Sequence, residues 1–194
     1  AWWQVYGLGQ LGEIETRIFT GWTIIDEVPP EARMERRGLD FGYSIDPTSI
    51  IDVYKWNTGY IWDEQLYRKG MSNKQIADFL QNLPHPSTLV VADSAEPKSI
   101  DEIKGYGVPI LPAQKGPGSV NQRIQLVQSL PMFITKRSVN AIREYRNYLW
   151  QTDRDGKVLN VPMDMFNHAM DAGGYAMQSL FPHAAESHPD LRIY

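Results

Sequence analysis

The stretch "RRGLDFGYSIDPTSIIDVY", residues 36–54, decides the fold because it carries two strands and an acid inside the first of them. The segments "RGLDFG" (37–42) and "TSIIDVYKW" (48–56) have the strand character that β-branched and aromatic residues give. Asp40 lies in the middle of the first segment. A carboxylate is costly to bury unless it is paired, so Asp40 requires a partner.

Composition sets limits on the class of protein. The chain has 194 residues, of which 42% are hydrophobic and 22% charged, as is ordinary for a globular domain. No apolar run approaches the roughly 18–20 residues of a membrane span, and the start lacks the features of a secretory signal, so we expect no membrane association. The absence of cysteine excludes disulfides and thiolate metal sites. A net charge of −4 argues against non-specific coating of nucleic acid, but it allows an enzyme with a local basic groove.

The predicted elements run from a three-strand meander through alternating helices and strands to a last helix. The apolar run "STLVVADS" (87–94) is typical of a strand covered on both faces. Helical spacing of apolar residues predicts helices that include "SNKQIADFLQNL", "SVNAIREYRNYLW" and "DMFNHAMDAGGYAMQSL", the last of them starting at Asp164. This order predicts an α/β fold with a mixed sheet and helices on both faces.

Two further aspartates stand on elements that are able to approach Asp40. Asp93 ends the apolar strand, where α/β sheets place their sites, although an N-cap for the next helix explains it equally well. Asp171 lies in the last helix three residues after His168, so both side chains project from one helical face. The alternatives are a surface pair between Asp171 and His168, and a strand-end role for Asp40.

Glycines follow Asp171 directly, at Gly173 and Gly174. Each costs about 1 kcal/mol in a helix relative to Ala. They therefore predict a close approach of the last helix to the sheet or to a ligand.

Together the three aspartates predict a metal site. Several carboxylates cannot share a dry pocket unless their negative charges are neutralised. One or two hard divalent cations can neutralise them. Oxygen ligands without thiolate favour Mg²⁺ or Mn²⁺ over Zn²⁺. Two such ions about 4 Å apart can clamp the attacking and leaving oxygens of a phosphodiester.

Four blocks of the sequence carry a family resemblance. In order along the chain they are "GLDFGYSIDPTSII", "VVADSAEPKSIDEIKGYG", "PAQKGPGSVNQRIQLV" and "NHAMDAGGYA". Together they resemble the C-terminal nuclease domain of the large terminase subunit of tailed bacteriophages, over about residues 1–181. The resemblance implies a ribonuclease H-like (retroviral integrase-like) fold with a mixed central β-sheet flanked by helices on both faces.

The resemblance also implies an activity and a set of site residues. The activity is metal-dependent endonucleolytic cutting of double-stranded DNA concatemers, with two Mg²⁺ or Mn²⁺ ions and with 5′-phosphate and 3′-hydroxyl products. By position, Asp40 is the carboxylate that bridges both ions, and Asp93 and Asp171 are further metal ligands. His168 matches a histidine that is either a ligand or a group that orients water.

Partners and domain layout follow from the same resemblance. It implies double-stranded DNA as substrate and, in the full-length protein, an ATPase domain, the portal and the small terminase subunit as partners, in the host cell cytoplasm and not in the mature virion. The chain has no G-x-x-x-x-G-K-[ST] phosphate loop, so we expect the ATPase motor to be absent. We expect one monomeric nuclease domain over 1–194, with an N-terminal β extension and connector (1–35), a core (36–181) and a loose tail (182–194).

Basic residues in loops and at helix starts are candidates for DNA contacts. Lys115 precedes a helix that contains Arg123, and a helix N-terminus suits a phosphate. Lys98 follows Asp93 closely, and the predicted hairpin "TDRDGKV" carries Arg154 and Lys157. Each of these side chains is explained as well by an ordinary solvated surface.

Two other functions remain open at the level of sequence. One is a related nuclease of the same fold, such as a Holliday-junction resolvase or a transposase-like enzyme. The other is a non-catalytic DNA-binding or docking module in which the acidic cluster is structural. Of the remaining acids, Asp46 is predicted to turn the chain and Asp52 to face solvent.

Overall fold

The computed structural model describes residues 16–182. Its strands are β1 (Thr23–Ile25), β2 (Arg33–Asp40), β3 (Thr48–Trp56), β4 (Gly59–Arg68), β5 (Val90–Ala92), β6 (Ile110–Pro112), β7 (Met132–Thr135), β8 (Trp150–Thr152) and β9 (Val158–Pro162). Its helices are α1 (Asn73–Asn82), α2 (Pro97–Gly105), α3 (Ser119–Gln128), α4 (Val139–Asn147) and α5 (His168–Ser179).

Seven strands form one mixed sheet in the order β1-β7-β4-β3-β2-β5-β6. The pairs β2–β3 and β3–β4 are antiparallel, as a meander requires, whereas β5, β6, β7 and β1 pair in parallel with their neighbours. The strands β8 and β9 form a separate hairpin. The predicted mixed sheet is therefore confirmed.

Helices cover both faces because the central strands are apolar on both faces. On β3, Ile51 and Val53 belong to one hydrophobic cluster, and Ile50, which directly precedes Ile51, belongs to another. The first cluster packs α3, α4 and α5 against the sheet, and the second packs α1 and α2. Burial of each such side chain stabilises the fold by roughly 1.5–3 kcal/mol.

Glycines let α5 approach the sheet closely, as the sequence predicted. A Cβ atom added to Gly38 of β2 would overlap the carbonyl of Ala172, and one added to Gly173 would overlap the ring of Trp62. Ala172 and Gly173, which follow the first turn of α5, are thereby held against β2, the strand that carries Asp40, and against β4.

Some predicted boundaries differ from the structure. The predicted core start at residue 36 lies inside β2, which begins at Arg33. The last helix begins at His168 and not at Asp164, whose Oδ1 instead accepts a hydrogen bond from the Asn167 side chain at 3.1 Å. Residues 1–15 of the predicted β extension and residues 183–194 of the predicted tail lie outside the described residues. Among residues 16–182, none of the helices has the length and apolarity needed to cross a membrane.

Candidate active site

Asp40 is the last residue of β2 and is only 8% exposed. Its Oδ2 atom lies 3.2 Å from Nδ1 of His168, the first residue of α5, and the two atoms share a hydrogen bond. The other ring nitrogen of His168, Nε2, lies 3.5 Å from Oδ1 of Asp46. His168 therefore stands between two carboxylates and pairs with the strand, not with Asp171 as the surface-pair alternative required.

Asp171 lies in the first turn of α5 and faces a buried arginine. Its Oδ1 accepts a hydrogen bond from Nη2 of Arg123 at 3.2 Å. The Arg123 guanidinium stacks on the ring of Tyr175 at 4.7 Å, and the arginine is 7% exposed. A Cβ atom at Gly174 would lie 2.8 Å from Cδ of Arg123, so this glycine makes room for the arginine.

Asp93 follows β5 directly, on the strand next to β2. Its backbone N–H donates to the carbonyl of Leu39 at 3.2 Å, which places it beside the end of β2. Its Oδ1 accepts a hydrogen bond from the Ala95 N–H at 2.9 Å, before α2 begins at Pro97. This bond closes a turn before the helix and is not the N-cap that the sequence allowed, because the N-cap residue of α2 is Glu96; it leaves Oδ2 of Asp93 outside that bond.

The three carboxylates interact electrostatically. Burial raises the pKa of Asp40 to about 7, the hydrogen bond from His168 opposes this rise, and the charges of Asp171 and Asp93 add to it. Burial also raises the pKa of Asp171, against the attraction of Arg123. The hydrogen bond to Asp40 raises the pKa of His168. The site thus concentrates negative charge where water screens it poorly.

The donor set fits a hard divalent cation. Ser49 lies opposite Asp40 in the β2–β3 register, is fully buried, and its hydroxyl has no hydrogen-bond partner among the described residues. Buried carboxylate oxygens beside an unpaired hydroxyl are groups that such a cation, with its water, would satisfy. Within residues 16–182, no three His, Asp or Glu side chains already surround one point as a finished metal site, so cation binding requires these side chains to draw together.

The interpretation of Asp52 as a solvent-facing residue is wrong. Asp52 is 2% exposed, and its Oδ1 accepts a hydrogen bond from Nε of Arg37 at 2.7 Å. Arg37 also donates to the carbonyls of Pro84 and His85. Through these bonds Arg37 fixes the loop after α1 to the sheet. Asp52 is buried and not in water because the β2–β3 register places it opposite Arg37.

The candidate DNA-binding cations divide into two groups. Lys98, Lys115, Arg154 and Lys157 are exposed, on α2, on the loop before α3 and on the hairpin between β8 and β9. Arg123 forms the second group, because it is buried and its guanidinium group bonds to Asp171 within the site. For all five residues the DNA contact stays a prediction.

Sequence reasoning missed two groups that shape the site. It treated Arg123 as a surface cation and did not single out Glu144, which is fully buried in α4. The sequence did carry a signal for Glu144. This residue lies three residues after Ala141, on the apolar stripe of an otherwise amphipathic helix. An acid at such a position requires buried partners.

The sequence matches a family model described as the terminase RNase H-like domain, over residues 40–179. The chain is 36% identical over 150 residues to the large terminase subunit of Bacillus phage SPP1. That alignment covers 74% of this chain and 35% of the relative, so the chain spans about a third of the relative's length.

Solved structures agree with the fold. The large terminase nuclease domain of bacteriophage SPP1, solved with bound Mn, has a TM-score of 0.73 and 30% identity, covering 84% of this chain and 98% of that one. The large terminase nuclease of thermophilic phage G20c, solved with bound magnesium, has a TM-score of 0.57 and 15% identity, covering 86% of this chain and 94% of that one. The second likeness concerns the fold alone.

Proposed function

This chain belongs to the terminase RNase H-like domain family, and on that premise we propose that it is a metal-dependent endonuclease that cuts double-stranded DNA. The likeness to large terminase nuclease domains supports a terminase nuclease role. The observation that carries the finer proposal is the convergence of Asp40, Asp93 and Asp171 at one end of β2. Their charges interact, and their cationic neighbours balance them only in part.

In the proposed site, Asp40 lies centrally, with Asp93 directly after the neighbouring strand and Asp171 on the helix opposite. These three carboxylates, with His168 as ligand or water-orienting group, would hold two Mg²⁺ or Mn²⁺ ions. The Mn bound in the SPP1 nuclease domain supports a divalent metal of this kind. When bound, such ions supply a lower pKa for the attacking water and charge stabilisation for the leaving 3′ oxygen.

The side chains of the chain itself prepare the site in three ways. His168 holds the Asp40 carboxylate in place by the 3.2 Å hydrogen bond. Arg123 holds Asp171 and balances part of its charge. We expect the exposed cations Lys98, Lys115, Arg154 and Lys157 to contact phosphates, with weak sequence preference, because backbone contacts carry no base information.

The proposed substrate is concatemeric viral DNA, cut to 5′-phosphate and 3′-hydroxyl ends during genome packaging in the host cell. In a longer protein, the partners would be an ATPase domain, the portal and the small terminase subunit. The shared domain in the SPP1 large subunit supports this placement.

The test is Mn²⁺-dependent cleavage of supercoiled plasmid DNA. We expect Asp40→Ala to lower the rate by on the order of 10³-fold or more, the scale seen when a group at the reacting centre is removed. Asp52→Asn, which alters a buried acid with a partner of its own, is expected to cut within a few-fold of the parent chain.

If Asp40→Ala cuts like the parent, the proposed site is wrong, and the result favours the alternative of a non-catalytic docking module. A strong preference for four-way junctions over linear duplex in the same assay would favour the resolvase-like alternative.

A further inference from the structure

Glu144 is a buried acid on α4 that makes no contact with solvent. Its exposed fraction is 0%, and both carboxylate oxygens are engaged. Oε1 accepts hydrogen bonds from the backbone N–H groups of Ala169 at 2.6 Å and Met170 at 3.2 Å. Oε2 accepts a hydrogen bond from the hydroxyl of Tyr67 at 2.7 Å.

The two backbone donors belong to the first turn of α5. The first N–H groups of a helix have no partner within the helix, and a side chain at the N-cap usually accepts from them. The N-cap residue of α5, Asn167, makes no such side-chain bond. Glu144 therefore supplies from another helix the acceptor that α5 lacks, and its negative charge suits the positive end of the helix dipole.

The same first turn carries the site residues of α5. His168 precedes Ala169 directly, and Asp171 follows Met170 directly. Tyr67, the second partner of Glu144, is on β4, and its ring meets the His168 ring edge-on with centroids 6.5 Å apart. Glu144 thus joins α4, β4 and the first turn of α5, which carries His168 and Asp171.

We propose that Glu144 is a positioning residue of the active site, which fixes the first turn of α5 and thereby aims His168 and Asp171 at Asp40. The proposal rests on the proposed nuclease function for its consequence, but its structural part stands on the contacts of Glu144 alone. Because Glu144 is fully buried and both its oxygens are occupied, it acts through α5 and touches neither substrate nor metal.

Three variants separate positioning from general stability. Glu144→Ala removes the acceptor for both amides, and Glu144→Gln keeps one acceptor oxygen for them while it removes the charge. Leu80→Ala is the control: Leu80 is 2% exposed in α1, in the cluster on the opposite face of the sheet, so its loss destabilises the chain without touching α5.

The first readout is amide hydrogen exchange of residues 168–172 in the metal-free chain, and the second is Mn²⁺ affinity by calorimetry. We expect Glu144→Ala to lose protection in this segment and to bind Mn²⁺ about tenfold or more weakly, the scale for groups that orient metal ligands. We expect Glu144→Gln to recover most of both, and Leu80→Ala to change neither beyond a uniform loss of protection. With saturating metal, Glu144→Ala should lower kcat while leaving KM for DNA nearly unchanged.

The proposal is overturned if Glu144→Ala keeps parental protection over 168–172, or if it loses protection there but binds Mn²⁺ as the parent does. If Glu144→Ala does not fold, the decision falls to Glu144→Asp, whose shorter side chain withdraws the acceptor from the two amides while it keeps the charge. Parental protection over 168–172, or a parental Mn²⁺ affinity, in this variant would likewise overturn it. If the parent chain binds no Mn²⁺, the proposed function fails, while the exchange measurement still decides whether Glu144 holds α5.

Discussion

Two groups of carboxylates, one within the sheet and one between the end of β2 and α5, are neutralised very differently. On β3 and β4, Asp52 and Asp63 are 2% and 3% exposed, and each faces an arginine. Arg37 reaches Asp52 at 2.7 Å, and Arg137 donates to Asp63 at 2.8 and 2.6 Å through Nε and Nη2. Thr135 adds a third hydrogen bond to Asp63 at 2.7 Å.

The carboxylates at the end of β2 have weaker compensation. Asp40 is bonded to His168, which is cationic only when protonated, and Asp171 has a single bond of 3.2 Å to Arg123. Burial raises the pKa of Asp52 to about 6 and that of Asp40 to about 7. The difference teaches that burial alone does not mark a site. A buried acid that has neither a matched cation nor, as Glu144 has, hydrogen-bond donors on both oxygens marks one, because the fold retains a charge that it does not itself satisfy.

The largest expected effect is a difference in stability between variants of the two groups. Asp52→Ala leaves Arg37 buried and unpaired, so we expect a loss of about 3–5 kcal/mol in the free energy of unfolding. Asp40→Ala removes a charge without a matched cation, so we expect a change of no more than about 1 kcal/mol in either direction. Urea denaturation in EDTA at pH 7 measures both.

Equal losses in the two variants would break the comparison, because they would mean that Asp40 is as well matched as Asp52. The parental m-value serves as the check that both variants unfold as one unit.

Next in size is the response to metal. At about one hundred times its Kd, Mn²⁺ should stabilise the parent chain by about 2.7 kcal/mol, or roughly 5–10 °C in Tm for a domain of this size. We expect Asp52→Asn to keep this shift and Asp40→Ala to lose it. Thermal denaturation with and without EDTA measures it, and an equal shift in both variants would place the metal elsewhere.

The smallest expected effect is a pH dependence in the metal-free chain. Folding raises the pKa of Asp40 from 3.8 to about 7, so the contribution of this group to stability is complete below about pH 4 and is lost as the pH rises through 7. Asp40→Asn cannot titrate and should remove part of the decline, on the order of 1 kcal/mol or more between pH 5 and pH 8. Urea denaturation at the two pH values tests this, and an unchanged decline in the variant contradicts it.

Local pattern was enough to predict much of the fold. The β-branched content of β3, the continuous apolar run at β5 and the helical spacing in α1 and α5 each specify an element, and their order specifies a mixed sheet. Gly173 correctly signalled a close helix–sheet contact, because only a missing Cβ admits the ring of Trp62.

Pairings between distant residues could not be predicted in this way. The sequence placed Asp52 in water because nothing near it shows that Arg37, fifteen residues earlier, lies opposite it in the β2–β3 register. The sequence likewise did not show that Arg123 is buried, because its contact with Asp171 depends on the packing of α3 on α5. Glu144 caps a helix that begins twenty-four residues later, a contact that tertiary packing alone creates.

The most direct measurement of the central claim is anomalous diffraction from crystals of this domain soaked in Mn²⁺. The account predicts two anomalous peaks about 4 Å apart, with oxygens of Asp40 on both and with Asp93 and Asp171 each on one. Peaks at other surface acids, with none at these three carboxylates, would contradict it.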